Sequence, residues 1–337
     1  MKTEIVCTLG PATDSPEGIK KLYEAGMNIA RVNCSHLNAE QARNIIERLK
    51  EVRQKEKLNY RIMLDTKGPD IRIGTFEGGN VTLENGQTFT FTTKECVGDN
   101  KRVYANYNRL PQVVEKGQAI LLVDGMIRLT VKSTTDTDVV CVVDMGGVLS
   151  NRKSMFVPGC ALGLPFLSDA DKADLKVAAE TGVDLIAASF VGTRQNLIDM
   201  TAWLKECGKA VPIISKVESV EGIQNIDEIV DESYGIMVAR GDLGVEYPIE
   251  QVPALQRLIV EKCVAANKFC IVATEMLESM IDRPRPTRAE VTDVTNAVWQ
   301  GAHAVMTSAE TAVGKFPFLT IEYMRKIAME AEKSTVG

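Results

Sequence analysis

Short apolar runs that end in polar or charged residues recur along the chain. Eight stand out: EIVCTLG (4–10), IARVNCS (29–35), RIMLDT (61–66), DLIAASF (184–190), VPIISKVE (211–218), GIMVARGD (235–242), CIVATEM (270–276) and AVMTSAE (304–310). Each is rich in Val, Ile, Ala and Met with little alternation, which is how a strand covered on both faces reads. Helical spacing of apolar residues fills most of the gaps. SPEGIKKLYEAG (15–26), NAEQARNIIERLKEVRQKEK (38–57), SDADKADLKVAAETG (168–182) and IEQVPALQRLIVEKCVAANK (249–268) read as helices, the first and third ending in Gly and the second and third opening on an Asn or Ser cap. Eight strands alternating with helices predict an α/β fold, a (β/α)8 TIM barrel, with an open doubly wound sheet as the competing arrangement.

The alternation breaks once, between about Asp70 and Leu167. GTFEGGNVTLENGQTFTFTT, AILLVDGMIRLTVKS and TDVVCVVDMGG alternate polar with apolar residues and carry Asn85-Gly86 and Asp124-Gly125 turns. They read as antiparallel hairpins. The prediction is a barrel formed by 1–69 and 168–337, with a small all-β domain, 70–167, inserted after the third barrel strand. An insertion leaving from that end of a strand is expected to lie over the active face as a lid.

Composition narrows the function. The chain has 337 residues, 45% hydrophobic and 25% charged, enough to bury a core without a disulfide or metal staple. The net charge of -6 argues against a nucleic-acid-binding surface, though a local cationic cluster can still hold an anion. The eight cysteines are scattered without a CxxC pair and are expected to be reduced and mostly buried. MKTEIVCTLGP carries no signal-peptide pattern and no run is long enough to span a bilayer, so the expected location is cytoplasmic, with no membrane partner. No GxGxxG, GxxxxGK[ST] or HExxH occurs.

Active sites of such barrels form at the C-terminal strand ends. The polar residues there are Arg31, Asn33, Ser35, Asp65, Thr66, Lys216, Glu218, Asp242, Thr274 and Glu310. Carboxylates, two cations and several neutral oxygens on different strands suit a site in which metal ions and cations hold a highly charged anion. Lys216 and Glu218, two apart on a strand, face the same side. Glu218 and Asp242 can chelate one divalent ion, Mg2+ or Mn2+; a structural ion pair at the barrel rim is the alternative. The Gly-Asp-Leu-Gly segment around Asp242 reads as a tight strand-to-helix turn or an anion-approaching loop. RPRPTRAEV (283–291) reads as an exposed arginine cluster or a phosphate or subunit contact, ahead of a Thr-x-x-Glu capping box. Of the two histidines, His303 reads as structural and His36 as either structural or ligand-contacting.

IVCTLGPAT, GMNIARVNCSH, MLDTKGPDIRIG, ISKVES, GIMVARGDLGVE, ATEMLESMI, RPTRAEVTDVTNAV and AVMTSAETAVGKFP together closely resemble the pyruvate kinases, in the family's order and over essentially the whole chain. The resemblance implies a barrel with a β-rich lid and phosphoryl transfer from phosphoenolpyruvate to ADP, giving pyruvate and ATP. It implies that Lys216 stabilises the transferring group, that Arg31 contacts the phosphate and that Glu218 and Asp242 hold Mg2+ (or Mn2+). Ala239, Gly241 and Asp242 correspond to the substrate loop. Thr274 corresponds to the threonine near the carboxylate and the protonated carbon. Asn33, Ser35, Asp65 and Thr66 correspond to the K+ site, and Asn33, His36, Arg72 and Lys153 to nucleotide contacts. Departures include Glu275 for Gln, Thr307 and Ala309 in MTSAETA, Leu37, and Ser154 for Gly; Asp70 keeps the acid associated with K+ dependence. No segment resembling the family's C-terminal effector domain follows EAEKSTVG, so effector control through it is expected to be absent. The resemblance is compatible with a homo-oligomer. Two other functions are weighed: a different Mg2+-dependent barrel enzyme acting through an enolate, and an impaired kinase-like fragment or binding protein.

Overall fold

The computed structural model describes residues 2–160 and 162–334, and the side chain of His36 lies outside that description. The chain divides into two compact units. One comprises Met1–Gly68, Phe166–Leu243 and Glu250–Gly337; the other comprises Pro69–Pro165 with Gly244–Ile249.

In the first unit, eight strands close into a parallel barrel: β1 (Glu4–Thr8), β2 (Ile29–Asn33), β3 (Arg61–Asp65), β4 (Leu185–Ala188), β5 (Ile213–Val217), β6 (Gly235–Ala239), β7 (Phe269–Ala273) and β8 (Ala304–Thr307). Each pairs with its neighbours in sequence, and β1 with β8 closes the ring. The eight apolar runs are thus the eight staves, and the open-sheet alternative falls. Val6, Ile29, Met63, Leu185, Ile214, Met237, Ile271 and Ala304, one from each strand, pack into an inner cluster. Side chains alternate along a strand. Arg31 and Asn33 therefore share the inward face of Ile29, Asp65 that of Met63, and Lys216 and Glu218 that of Ile214. The apolar plug sets the floor of a polar layer at the C-terminal end of the barrel.

Helices surround the staves where expected. Pro16–Ala25 starts at a Ser15 cap, and Ala39–Lys55 and Asp169–Thr181 start at capping boxes on Asn38 and Ser168. The helix expected from 249 begins later. Ile249–Gln251 is a 3-10 turn and the α-helix runs Val252–Ala265, with Pro253 in its first turn, where a missing N–H costs nothing. The Gly-Asp-Leu-Gly segment is not a turn: Gly241 and Gly244 lie inside the short helix Arg240–Glu246, and neither has positive φ. All eight cysteines are free, five buried and three partly exposed. Among the described residues no helix is long and apolar enough to cross a membrane.

The second unit is built on a seven-stranded sheet and a two-stranded one, with a short helix at Leu110–Val113. Phe89 and Phe91, edge to face at 5.4 Å, centre its core. Asp124-Gly125 closes a hairpin between Ala119–Leu122 and Ile127–Thr134, with Val123, Asp124 and Gly125 all at positive φ. Asn85-Gly86 does not close one. Asn80–Leu83 pairs with Gly147–Ser150, whereas Thr88–Thr92 pairs with Asp138–Met145. The turn instead moves the chain between sheets: Asn85 Oδ1 accepts from Gly146 N (2.7 Å) and Gly86 N donates to Val143 O (2.7 Å). Thr88–Thr92 also pairs in parallel with Arg102–Tyr104, so the unit is not hairpins alone.

At Gly146 a Cβ would sit 2.1 Å from the carbonyl oxygen of Leu83. Gly146→Ala should therefore destabilise the protein by about 1–3 kcal/mol, the usual range for forced overpacking, seen as a lower urea midpoint; an unchanged midpoint would show that the crossing relaxes freely.

Candidate active site

The polar layer inside the barrel mouth is organised around one carboxylate. Asp65 is fully buried at the end of β3. Its Oδ2 accepts from Arg31 Nε at 2.6 Å, and its Oδ1 lies 3.3 Å from Lys216 Nζ. Lys216 Nζ donates to Ser189 Oγ (2.8 Å) and lies 2.8 Å from Glu218 Oε1. Ser189 Oγ in turn bonds Thr66 O (2.7 Å) and Asp65 Oδ1 (3.3 Å). On the other side, Arg31 Nη1 donates to Thr8 Oγ1 (2.8 Å), which donates to Thr307 O (2.7 Å). Side chains from β1, β2, β3 and β5, with those just beyond β4 and β5, thus form one buried network.

The electrostatics follow from this packing. Burial alone would push the Asp65 carboxyl up, but Arg31 and Lys216 outweigh it and hold it below the usual carboxylate range. Burial alone would push Lys216 down. Asp65, then Glu218 and Asp242, outweigh both that and the Arg31 repulsion, so its ammonium is held above the ordinary lysine value. Lys216 is thus held as an ammonium in a buried site, where charge acts more strongly than in water.

Glu218 is fully buried; its Oε2 accepts from Phe190 N at 2.7 Å, while Oε1 has no hydrogen-bond donor. The 2.8 Å approach of Lys216 Nζ to that oxygen is an ionic contact without hydrogen-bond geometry. An anionic oxygen lacking a donor in a buried site fits a metal ion. Among the described residues no group of three or more His, Cys, Asp or Glu is placed to hold one. Glu218 and Asp242 alone would leave most positions to water and substrate oxygens, the mode Mg2+ favours.

A second group of residues gathers beside β6 and β7, whose ends pair at Ala239 and Ala273. Thr274 follows Ala273, and a Cβ on Gly241 would come within 3.0 Å of Thr274 Cγ2, so glycine permits the approach. Thr274 (φ 76°), Glu275 (φ 55°) and Phe190 (φ 55°) all adopt left-handed backbone conformations, strained for such residues and found where a site dictates geometry. Glu310 is not part of the charged centre. It is a buried brace whose oxygens accept from Leu277 N (3.2 Å) and Ser308 N (2.7 Å), tying two strand-end loops together. Nearby Glu278 is pushed up to about 7, by burial first and then by Glu310, Glu275 and Glu290.

Asn33 pairs in register with Asp65, and its Oδ1 accepts from Ser35 N (3.1 Å). Thr66 Oγ1 accepts from Ser189 N (3.1 Å). Asn33, Ser35, Asp65 and Thr66 thus cluster at the β2–β3 rim. Arg72 and Lys153 belong to the second unit, where Arg72 Nη2 lies 2.7 Å from Asp70 Oδ2 and Ser154 Oγ bonds the same carboxylate (3.0 Å). Thr287 and Glu290 form the expected capping box, and Arg283, Arg285 and Arg288 are exposed. Three participants were absent from the sequence reading: Thr8, Ser189 and the backbone N–H of Phe190. The first two end apolar runs and were within reach of the strand-end rule; the third carries no side-chain signal.

The family model for the pyruvate kinase barrel domain matches residues 1–321. The chain is 44% identical over 331 residues to a pyruvate kinase of Thermotoga maritima, covering 98% of this chain and 71% of that protein. It is 43% identical over 334 residues to a pyruvate kinase of Leishmania mexicana, covering 98% of this chain and 67% of that protein. Among solved structures, a pyruvate kinase from Cryptosporidium parvum matches with a TM-score of 0.91 at 40% identity, over 98% of this chain and 69% of that one.

Two outcomes are expected from the electrostatics. Asp65→Asn leaves Arg31 and Lys216 facing each other in a buried site and should cost about 3–5 kcal/mol at pH 7. Because the folded-state value of Asp65 lies below its ordinary 3.8, its contribution is present above that pH and lost only as pH falls through the folded value. Urea titrations at neutral pH, pH 5 and below pH 4 should show the gap between the two proteins narrowing only in the last. Glu278 has the opposite sign: protonated folded protein is favoured, so its contribution fades as pH rises from 4.5 towards 7. Glu278→Gln should flatten the stability profile over that window by about 1 kcal/mol or less, since the side chain is exposed to screening solvent. An unaltered profile would count against the raised value.

Proposed function

The chain belongs to the pyruvate kinase family, and on that premise we propose that it transfers the phosphoryl group of phosphoenolpyruvate to ADP, giving pyruvate and ATP. The observation that carries this reading is the buried Lys216 ammonium, held at 2.8 Å from Glu218 and 3.3 Å from Asp65. Phosphoryl transfer asks little covalent chemistry of a protein; it asks for fixed positive charge around the equatorial oxygens and for alignment.

Lys216 supplies one such charge. Arg31 supplies another. Its Nε is spent on Asp65 and its Nη1 on Thr8, which fixes the guanidinium plane and leaves the remaining edge to meet a phosphate oxygen. Mg2+ or Mn2+ at Glu218 and Asp242 would supply further positive charge to the same oxygens. Ala239, Gly241 and Asp242 receive the enolpyruvate end, beside the Thr274 hydroxyl. Thr274 orients the proton donor for the carbon that becomes the methyl group. Asn33, Ser35, Asp65 and Thr66 offer neutral oxygens and one carboxylate, a set suited to K+. Asn33, His36, Arg72 and Lys153 are the proposed nucleotide contacts.

The test is a coupled pyruvate-formation assay on the purified chain with phosphoenolpyruvate, ADP, Mg2+ and K+. Lys216→Met and Glu218→Gln should each lower turnover by about 10²–10³-fold or more, the usual cost of one preorganised electrostatic contact, while circular dichroism shows the fold intact. Near-full turnover in Lys216→Met would remove the central role given to that ammonium.

A further inference from the structure

Two consecutive non-glycine residues at the end of β7, Thr274 and Glu275, lie in the left-handed region. Such a pair persists only where its surroundings impose it. Arg240 imposes it. Its Nε donates to the carbonyl oxygens of Ala273 (3.2 Å) and Thr274 (3.1 Å). Its Nη2 donates to the Thr274 carbonyl as well and approaches Met276 Sδ at 3.0 Å. The left-handed turn is what brings these carbonyls to one side, and the planar guanidinium fork is what can take both.

The guanidinium is itself held from behind. Nη1 donates to Asp293 Oδ1 (2.8 Å), with Oδ2 at 2.7 Å, and to Gln256 Oε1 (3.3 Å). Gln256 is buried and anchored by Gln300 (2.9 Å). The Arg240 side chain is 14% exposed, and that of its partner Asp293 is 33% exposed. Arg240 also immediately precedes Gly241 and Asp242, and Gly241 packs on Thr274 Cγ2. One side chain therefore joins the turn carrying the Thr274 hydroxyl to the helix start carrying Asp242.

We infer that Arg240 is a positioning residue for the phosphotransfer reaction: it sets the Thr274 hydroxyl against the Gly241–Asp242 segment and acts on turnover through Thr274. Its effect on turnover rests on the function proposed above; its effect on the turn does not. Lysine cannot replace it, because a single ammonium on a flexible stem lacks the planar fork that faces two carbonyls and a carboxylate at once.

The experiment uses Arg240→Lys, Thr274→Ala and the double variant, with turnover and backbone hydrogen exchange read on each. Arg240→Lys should lower kcat by about 10–10²-fold, the scale of an ångström-level misplacement, with a much smaller change in KM for phosphoenolpyruvate. In the Thr274→Ala background the same substitution should add about twofold or less, since coupled residues are non-additive. Losses that simply multiply would overturn the inference. Exchange should quicken in peptides spanning 269–281 and stay unchanged in those spanning 61–66. Unchanged exchange in 269–281 would overturn the inference whether or not the chain turns over. Quickened exchange in Arg240→Lys, beside a wild type that makes no pyruvate, would support the hold of Arg240 on the turn and refute the proposed reaction instead. If Arg240→Lys fails to fold, Asp293→Asn, which frees the guanidinium from behind, should show the same pattern at smaller amplitude; full protection of 269–281 there would overturn it equally.

Discussion

A single buried carboxylate, Asp65, lets the barrel keep two cations inside its mouth. Arg31 and Lys216 would repel one another and resist burial. Asp65 between them, bonded to one at 2.6 Å and 3.3 Å from the other, makes the arrangement tenable. The costs of desolvation are met only because every member finds further partners: Thr8 for Arg31, and Ser189 and Glu218 for Lys216. What the network leaves over is its chemistry. Glu218 Oε1 has no donor, Lys216 stays charged, and Arg31 is held in one plane. The closed ring of eight strands and the apolar cluster inside it form the floor on which these side chains stand.

Three left-handed residues, Phe190, Thr274 and Glu275, lie at strand ends of the candidate site. Phe190 turns its N–H to Glu218, and Thr274 and Glu275 turn two carbonyls to Arg240. In each case a left-handed residue converts a strand end into a polar group aimed at a charged side chain. Glu310, bonded to the backbone of Leu277 and Ser308, does the complementary work of fixing one loop against its neighbour. Charged side chains, backbone strain and close glycine approach at Gly241 therefore act as one device for holding positions.

Much of this could be read in the sequence because a doubly covered strand leaves an unbroken apolar signal. All eight runs became staves, and several carry polar residues at or just past the strand end that gather in the candidate site. VPIISKVE, for example, contains Ile213–Val217 with Glu218 just beyond. Period-two alternation then placed Lys216 and Glu218 on one face. Less was legible where long-range partners decide. Asn85-Gly86 has hairpin chemistry, yet Gly146, whose N–H donates to Asn85 Oδ1 and which leaves room for the Leu83 carbonyl, lets the chain cross to another sheet. The glycines around Asp242 suggested a turn and instead sit in a helix, one of them clearing space for Thr274. Arg240 and the Phe190 N–H gave no signal, since their roles depend on backbone angles that no local pattern encodes.

The proposed chemistry requires Lys216 to remain an ammonium despite its burial. Its side chain can be followed directly by 15N-lysine nuclear magnetic resonance over a pH titration, assigned by comparison with Lys216→Met. The structure predicts that the Lys216 signal stays protonated past 10.5, the ordinary lysine value, while exposed lysines titrate around it. A Lys216 resonance that loses its proton well below that pH would show that desolvation prevails over Asp65, Glu218 and Asp242, and would contradict the central claim.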